Sequence, residues 1–375
     1  LLRRNKLNGN HNNFFKDTDL VFLSICAGCS FMSVLSLYAI YTHMNLITSV
    51  RTVVVQAIAS IIGIALAVLI SHFDYKEWCE QWKWHFIPSC GLMILTMFIG
   101  FAPPGTTNKA WIQLPFGLTL QSSEILKIST ILMLSYFLEK YRNNINEIKT
   151  LLKLIAIACV PLAFVAIQRD SGTLLVYCAM VACMFFAAGV SGKFIAICRG
   201  GLLALSPFIW AKMDPYKKNR ILGLFDPDKY STIMWQQNMG KISIGSGRIL
   251  GKGFFTDNHN ATPLAYNDFI FSFMAECVGF VGIVIILGLI VFLWIRTLRI
   301  AGRSRDLRGT FICVGVFGML MAQTVINIGM NLSVLPVIGV TLPLFTAGGT
   351  SVIVTYCAMG FVLSVARHNP KTLFN

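Results

Sequence analysis

The chain has 375 residues, 55% of them hydrophobic and 13% charged, with a mean hydropathy of +0.68. Such a composition excludes a soluble globular protein of this size and fits a chain that crosses a membrane many times. The formal net charge of +15 then bears on topology, through where the basic residues fall between apolar runs, and no nucleic-acid partner is expected.

Residues 1–19 form a basic, polar tail on the cytoplasmic side, with no cleavable signal sequence expected. Apolar runs follow at about 20–41, 53–71, 86–101, 122–138, 151–168, 171–188, 193–210, 269–295, 311–329 and 350–366. The fold class expected is therefore an all-α integral membrane protein of about ten transmembrane helices. One polytopic domain covers residues 1–375: helices 1–7 over 20–210, a long extracellular loop over 211–268 before the eighth helix, helices 8–10 over 269–367 and a cytoplasmic tail over 368–375. With both termini inside, the inner side collects Arg3, Arg4, Lys6 and Lys16, then Lys76, Lys83, Lys140, Arg142, Lys149, Lys153, Lys193, Arg296, Arg299, Arg303, Arg305, Arg308, Arg367 and Lys371. The short outer loops hold only Arg51, Lys109 and Arg169, the asymmetry expected of a multi-pass protein of the plasma membrane. The cysteines lie almost entirely in apolar runs and read as small packing residues; Cys26-x-x-Cys29 lacks the strand and polar neighbours of a redox pair.

The chemistry-bearing positions cluster toward the outer face. Asp268 stands where the long loop enters an apolar helix; it reads either as that helix's N-cap or as a carboxylate able to take a proton in a half-dry cleft. Glu276 lies two turns on, on nearly the same face. Glu124 and Lys127, three residues apart, are placed to meet as a structural ion pair or to form a polar cavity wall with Lys127 toward a phosphate. Gln168-Arg169-Asp170-Ser171-Gly172-Thr173 is a polar break between two apolar runs, read as a turn or a site. Arg51 is an anchor or a phosphate contact. The run Gly245 to Gly253, with Ser246 and Lys252, fails the phosphate-loop pattern, although its glycines would let backbone amides approach an anion. Asn260-Ala261-Thr262 matches a glycosylation sequon. Pro336, Gly339, Pro343, Gly348 and Gly349 break the segment from Leu335 to Ser351, as in a cavity-lining stretch shielded by protein.

Taken in order, these motifs resemble the SEDS family, the RodA/FtsW-type peptidoglycan glycosyltransferases of bacteria, from about Asp19 to His368. Phe73-Asp74-Tyr75, Lys109-Ala110-Trp111-Ile112, Gln121-Ser122-Ser123-Glu124 with Lys127, Gln168 to Thr173, Gln236 to Gly253, Asn267-Asp268-Phe269-Ile270-Phe271 with Ala275-Glu276, and Leu335 to Ser351 match seven family motifs in the family's order. The departures mark a divergent member: Ser122 and Arg169 stand where the family has proline, Asn238 and Arg248 where it has serine and glycine, and Cys277 where it has a second glutamate.

The resemblance implies a polymerase of lipid II at the outer membrane face, serving cell elongation, division or sporulation. Asp268 would be the general base on the acceptor's 4-hydroxyl, and the donor would leave undecaprenyl pyrophosphate with inversion. Substrate-binding residues implied are Glu124, Lys127, Arg51, Trp111, Gln121, Asp170, Arg220, Gln236, Lys241, Ser246, Lys252 and Glu276. No metal ligand cluster demands an ion, though a divalent cation (Mg or Mn) is compatible with the chemistry. Partners implied are lipid II, a class B penicillin-binding protein and membrane lipid. The alternatives are a lipid II flippase or other transporter, and a scaffold for a transpeptidase. A carboxylate at an outer loop–helix junction favours the enzyme, because a transporter's site belongs near the midplane.

Overall fold

The computed structural model describes residues 19–44, 46, 49–102, 109–113 and 119–368. The basic residues Arg3, Arg4, Lys6, Lys16 and Lys371 lie outside them. In chain order the helices are α1 (Leu20–Ala39, extended by a π-turn to Met44), α2 (Arg51–His72), α3 (Tyr75–Glu80), α4 (Trp82–Ile99), α5 (Ser122–Lys140), α6 (Ile148–Ile167), α7 (Ser171–Ala187), α8 (Gly192–Lys212), α9 (Pro215–Leu222), α10 (Ser231–Ser246), α11 (Ile270–Arg303), α12 (Leu307–Asn331) and α13 (Gly349–Arg367). All ten apolar runs are helices. Six of them (α1, α2, α6, α11, α12 and α13) are long and apolar enough to cross a membrane by themselves.

The sequence reading missed two things. A two-stranded antiparallel hairpin, β1 (Trp111–Gln113) and β2 (Thr119–Gln121), precedes α5. The segment 211–268, expected as a loop, contains α9 and α10. Its polar composition hid both helices: α9 is short and strongly polar, and α10 spreads its apolar residues over two sides, Met234 buried and Trp235 and Ile242 exposed.

The buried centre is made by α5, α12 and α13. Small residues let these helices approach their neighbours, as membrane helices require where no hydrophobic gain drives association. A Cβ on Gly63 of α2 would sit 2.5 Å from Tyr356 of α13, and one on Gly360 of α13 would sit 2.9 Å from the Cα of Ala67. Polar side chains then join the helices: Tyr356 pairs with Ser30 at 2.7 Å and donates to the Cys26 carbonyl at 3.0 Å. Cys26, Cys29, Cys79, Cys90, Cys159, Cys178, Cys183, Cys277, Cys313 and Cys357 are free.

The inner ends are tied by charge. Asp19 caps α1 and accepts from Arg296 Nε at 2.6 Å. Arg308 pairs with Glu80 at 2.9 Å and Glu139 at 2.5 Å, and Lys76 pairs with Asp306 at 3.1 Å. Asp306 also accepts from Tyr75. Burial alone would raise the Asp306 carboxyl, but the donors Tyr75, the Gly309 amide and Lys76 hold it below the usual carboxylate range.

A break divides α11. Gly279 has φ 68°, ψ −172°, and the glycine-rich loop inserts there. Lys252 and Gly253 donate their amides to the carbonyls of Glu276 and Cys277, while Phe280 and Val281 donate theirs to Arg248 and Ile249, all at 2.8–3.1 Å. A Cβ on Gly251 would lie 2.2 Å from the Cys277 carbonyl oxygen. These glycines therefore permit close backbone stitching. The expectation that the loop's amides cradle an anion is corrected for Lys252 and Gly253, whose N–H groups are spent inside the protein.

Candidate active site around Asp268

Asp268 is half-buried, directly ahead of α11. It does not cap the helix: the cap position is Phe269, and no side chain bonds there. No described donor bonds the carboxylate oxygens. Its backbone is pinned instead. Asn327 and Asn331, one turn apart on α12, donate to the Asp268 carbonyl at 3.1 and 2.9 Å. Asn331 Oδ1 in turn accepts from the amide and hydroxyl of Ser272 at 3.1 and 2.6 Å. Burial raises the Asp268 carboxyl from 3.8 to about 6, against the opposing pull of the Arg220 guanidinium. The result is a carboxylate held in place, short of solvent, and without an internal partner, which is what a base working near neutral pH needs.

The broken segment after α12 forms one wall. Gly339 has φ 71°, and a Cβ there would lie 3.8 Å from Asp268 Oδ2. This backbone is held by side chains, as irregular structure at membrane depth must be. Gln237 donates to the carbonyls of Met330 and Leu335 at 2.8 Å each. Arg220 donates to Val337 at 2.5 Å, and Asn327 to Val340 at 2.7 Å. Gln56 and Ser33 hold Thr346 and Phe345. The irregular stretch shielded by protein is thus present, and Arg220 joins it at Val337.

The motif at 121–127 meets the turn at 168–173 on the same wall. Gln121 donates to Asp170 Oδ2 at 3.0 Å, while Asp170 caps α7 through the Thr173 amide and hydroxyl at 3.0 and 2.8 Å. Gly172 packs under the 338–340 backbone, where a Cβ would meet the Ile338 carbonyl oxygen at 2.6 Å. Glu124 and Lys127 form a buried ion pair at 2.7 Å. Arg169 adopts φ 59°, a conformation closed to proline, so its replacement of the proline expected by resemblance changes the turn itself. Lys217 reaches this turn, donating to the Arg169 carbonyl at 3.1 Å and Ser171 Oγ at 3.3 Å. The Gln168 amide and the Ser123 hydroxyl, beside these motifs, are buried with no hydrogen-bond partner among the described residues.

Other expected site residues go elsewhere. Glu276 was expected to share a helix face with Asp268; Asp268 precedes the helix, and Glu276 is fully buried within a structural network. It takes Lys252 Nζ at 2.6 Å, Ser243 Oγ at 2.5 Å, and the Asn260 amide and Nδ2 at 2.9 and 3.0 Å, with His259 Nδ1 at 3.7 Å. Asn260 Nδ2 also donates to Ser246 at 2.8 Å, so the sequon asparagine is committed to the interior. Ser246, Lys252 and Glu276 therefore anchor the glycine-rich loop. Gln236 is half-buried and makes no described hydrogen bond; its neighbour Gln237 does the tying. Lys241 and Arg51 are exposed, and Trp111 is half-buried in the hairpin. Asn327, Asn331 and Gln237 were missed; two asparagines one turn apart inside an apolar span were the available signal.

Comparisons place this geometry among known proteins. The Cell cycle protein profile FTSW_RODA_SPOVE matches residues 17–371. The peptidoglycan glycosyltransferase MrdB of Escherichia coli is 31% identical over 82% of this chain and 83% of its own. A probable peptidoglycan glycosyltransferase FtsW of Geobacter metallireducens is 29% identical over 84% of this chain and 85% of its own. Among solved structures, a peptidoglycan synthase complex described for coordination of polymerization and crosslinking matches with TM-score 0.79 and 25% identity, over 95% of this chain and 99% of that one. A variant of the Thermus thermophilus rod shape determining protein RodA matches with TM-score 0.70 and 26% identity, over the same shares. This chain, a multi-pass helical membrane protein, belongs to the FtsW/RodA/SpoVE family.

Proposed function

We propose that this chain is an inverting peptidoglycan glycosyltransferase of the bacterial plasma membrane, with Asp268 as its general base. The growing glycan is carried on undecaprenyl pyrophosphate. The acceptor lipid II presents its 4-hydroxyl to Asp268, which takes the proton as the oxygen attacks the donor's anomeric carbon. The bond from that carbon to the pyrophosphate breaks, and the lipid pyrophosphate leaves with the electron pair. The observation that carries this reading is the unpaired, half-buried Asp268 carboxylate, raised to about 6 and fixed through its backbone by Asn327 and Asn331.

The leaving group needs positive charge where its own charge develops. Arg220, which donates to the Val337 carbonyl in the same wall and opposes the rise of the Asp268 carboxyl, is one candidate, and Lys217, beside the 169–171 turn, is the other. Lys127, the motif's candidate, is already neutralised by Glu124, so its role here is to hold the wall. Among the described residues no three His, Cys, Asp or Glu side chains converge on a metal position; Mg or Mn would enter with the pyrophosphate. A class B penicillin-binding protein is the proposed partner, consistent with the synthase complex this fold matches.

The test is polymerisation of labelled lipid II by the purified wild type and by Asp268→Ala, each with and without the partner. Glycan chains from the wild type and none from a folded variant are expected. Polymer from Asp268→Ala would remove Asp268 as base, and lipid II flipping in liposomes without any polymer would move the function to transport.

A further inference from the structure

The segment 211–268 is not simply a loop in water. α10 runs beside the first turns of α11 and in the same direction, since Gly240 meets Phe269 and Ser272, Ser243 bonds Glu276, and Gly247 meets Ala275 and Glu276. It therefore descends toward the bilayer. Its inward side, with Met234, Gln237, Gly240 and Ser243, is buried. Its outward side carries Trp235 and Ile242, seven residues apart and 54% exposed each, and the turn that follows the helix carries Ile249 at 67% and Leu250 at 81%.

How deep this apolar side lies follows from the helix it rides on. Arg296 is fixed at the inner surface by Asp19, the cap of α1. About 20 helical residues cross the hydrocarbon, so counting outward along α11 from Arg296 reaches Glu276. The stitch at Gly279 thus falls at the outer edge of the hydrocarbon layer. There Ile249 and Leu250 run directly into Phe280 and Val281, which are exposed on the span itself. Lys241 and Arg248 flank these apolar residues and are exposed, placed to snorkel to headgroup phosphates, while Trp235 sits at the level where tryptophan belts form.

The geometry points to the outer leaflet as the occupant of this face: α10 and the stitched loop lie in the membrane interface, Leu250 deepest and Trp235 shallowest, with Lys241 and Arg248 against anionic headgroups. The apolar surface is continuous with the span's lipid-facing side, the basic residues match the lipid charge, and the stitching satisfies the backbone that such depth would otherwise strand. This placement depends on the orientation set by the basic loops and not on the proposed chemistry.

Depth can be read directly on the whole chain in nanodiscs of phosphatidylethanolamine and phosphatidylglycerol. An environment-sensitive fluorescent amino acid replaces Trp235, Ile242 or Leu250 singly, with Asp228 as a water-facing control. Lipids brominated high in the acyl chain should quench Leu250 most, then Ile242, then Trp235, and iodide should quench in the reverse order, with Asp228 quenched by iodide alone. Where a label prevents folding, Leu250→Trp should raise the share of intrinsic fluorescence that bromolipid quenches. Iodide quenching of positions 242 and 250 equal to that of 228, or shielding of both from either quencher, overturns the placement; the second result would mean that protein covers the face.

Discussion

Asp268 is defined by what does not touch it. A carboxylate ahead of a helix usually serves as its cap, and here the helix starts one residue too late for that. Left without donors and partly desolvated, the group favours its protonated form up to about pH 6. Two consequences follow. Polymerisation should rise about tenfold per pH unit below 6 and level off above it; a rate already flat from pH 5 would show that a less perturbed base is at work. For stability the sign runs the other way. The folded state binds a proton that the unfolded state has released between 3.8 and about 6, so stability from this group is present at low pH and lost as pH rises through 6. Asp268→Asn should therefore be inactive yet melt no lower than wild type above pH 7, with the pH 4–6 dependence of its Tm reduced; a clear fall in its Tm at pH 8 would make Asp268 structural. Asp268 was legible from the sequence because a polar run meets an apolar one there. Its freedom from capping was not, because that depends on where α11 begins.

At the scale of elements, the broken helix α11 and the loop that fills the break are one device. Gly279 opens the helix, Gly247 and Gly251 let the 248–253 backbone approach it, and Glu276 holds the far side of the loop through Lys252, Ser243 and Asn260. The Glu276 carboxylate is fully buried, so removing its charge leaves Lys252 facing an uncompensated interior. Glu276→Gln should cost about 3–5 kcal/mol, as for other broken buried pairs, and should raise hydrogen exchange across residues 248–260. Lys252→Met added to it should recover part of the loss. An unchanged Tm and exchange pattern in Glu276→Gln would refute the anchoring role. From sequence, Glu276 read as a second site acid, because spacing along one helix says nothing of a separate segment folding against it. Gln237, rather than Gln236, ties α10 to the 330–335 backbone for a similar reason: the neighbouring glutamines are told apart only by which side of α10 meets α12.

Across the whole molecule, the outer face carries the irregular backbone and the inner face carries the charge clamps. Arg308 joins α3, α5 and α12 through Glu80 and Glu139, and Asp19–Arg296 joins α1 to α11. The clamps fix the inner ends of helices whose outer ends part to admit the 335–348 segment. Glu80 is largely exposed and contributes little, whereas Glu139 is mostly shielded. Arg308→Met should lower stability by about 1–2 kcal/mol, seen as a lower Tm in nanodiscs with polymerisation at low temperature retained. Loss of activity without loss of Tm would place the clamp in the mechanism instead.

The sequence by itself determined the class, the ten apolar helices, the expected orientation and the position of the candidate base. Hydrophobic length and the distribution of Lys and Arg are local properties that the bilayer reads directly, so no tertiary information was needed. Only the tertiary structure decided which polar groups are spent and which are free. Glu124–Lys127, Asp170 and Glu276 are acids and bases by sequence alike with Asp268, yet each is spent: Glu124 and Lys127 on each other within one helix turn, Asp170 on its own helix cap and on Gln121, and Glu276 on Ser243, Lys252 and Asn260 from the segment before α11. Among the described residues no donor reaches the Asp268 carboxylate, while Asn327 and Asn331 take hold of its backbone. A burial pattern of that kind is a relation between segments, and a linear chain carries no record of it.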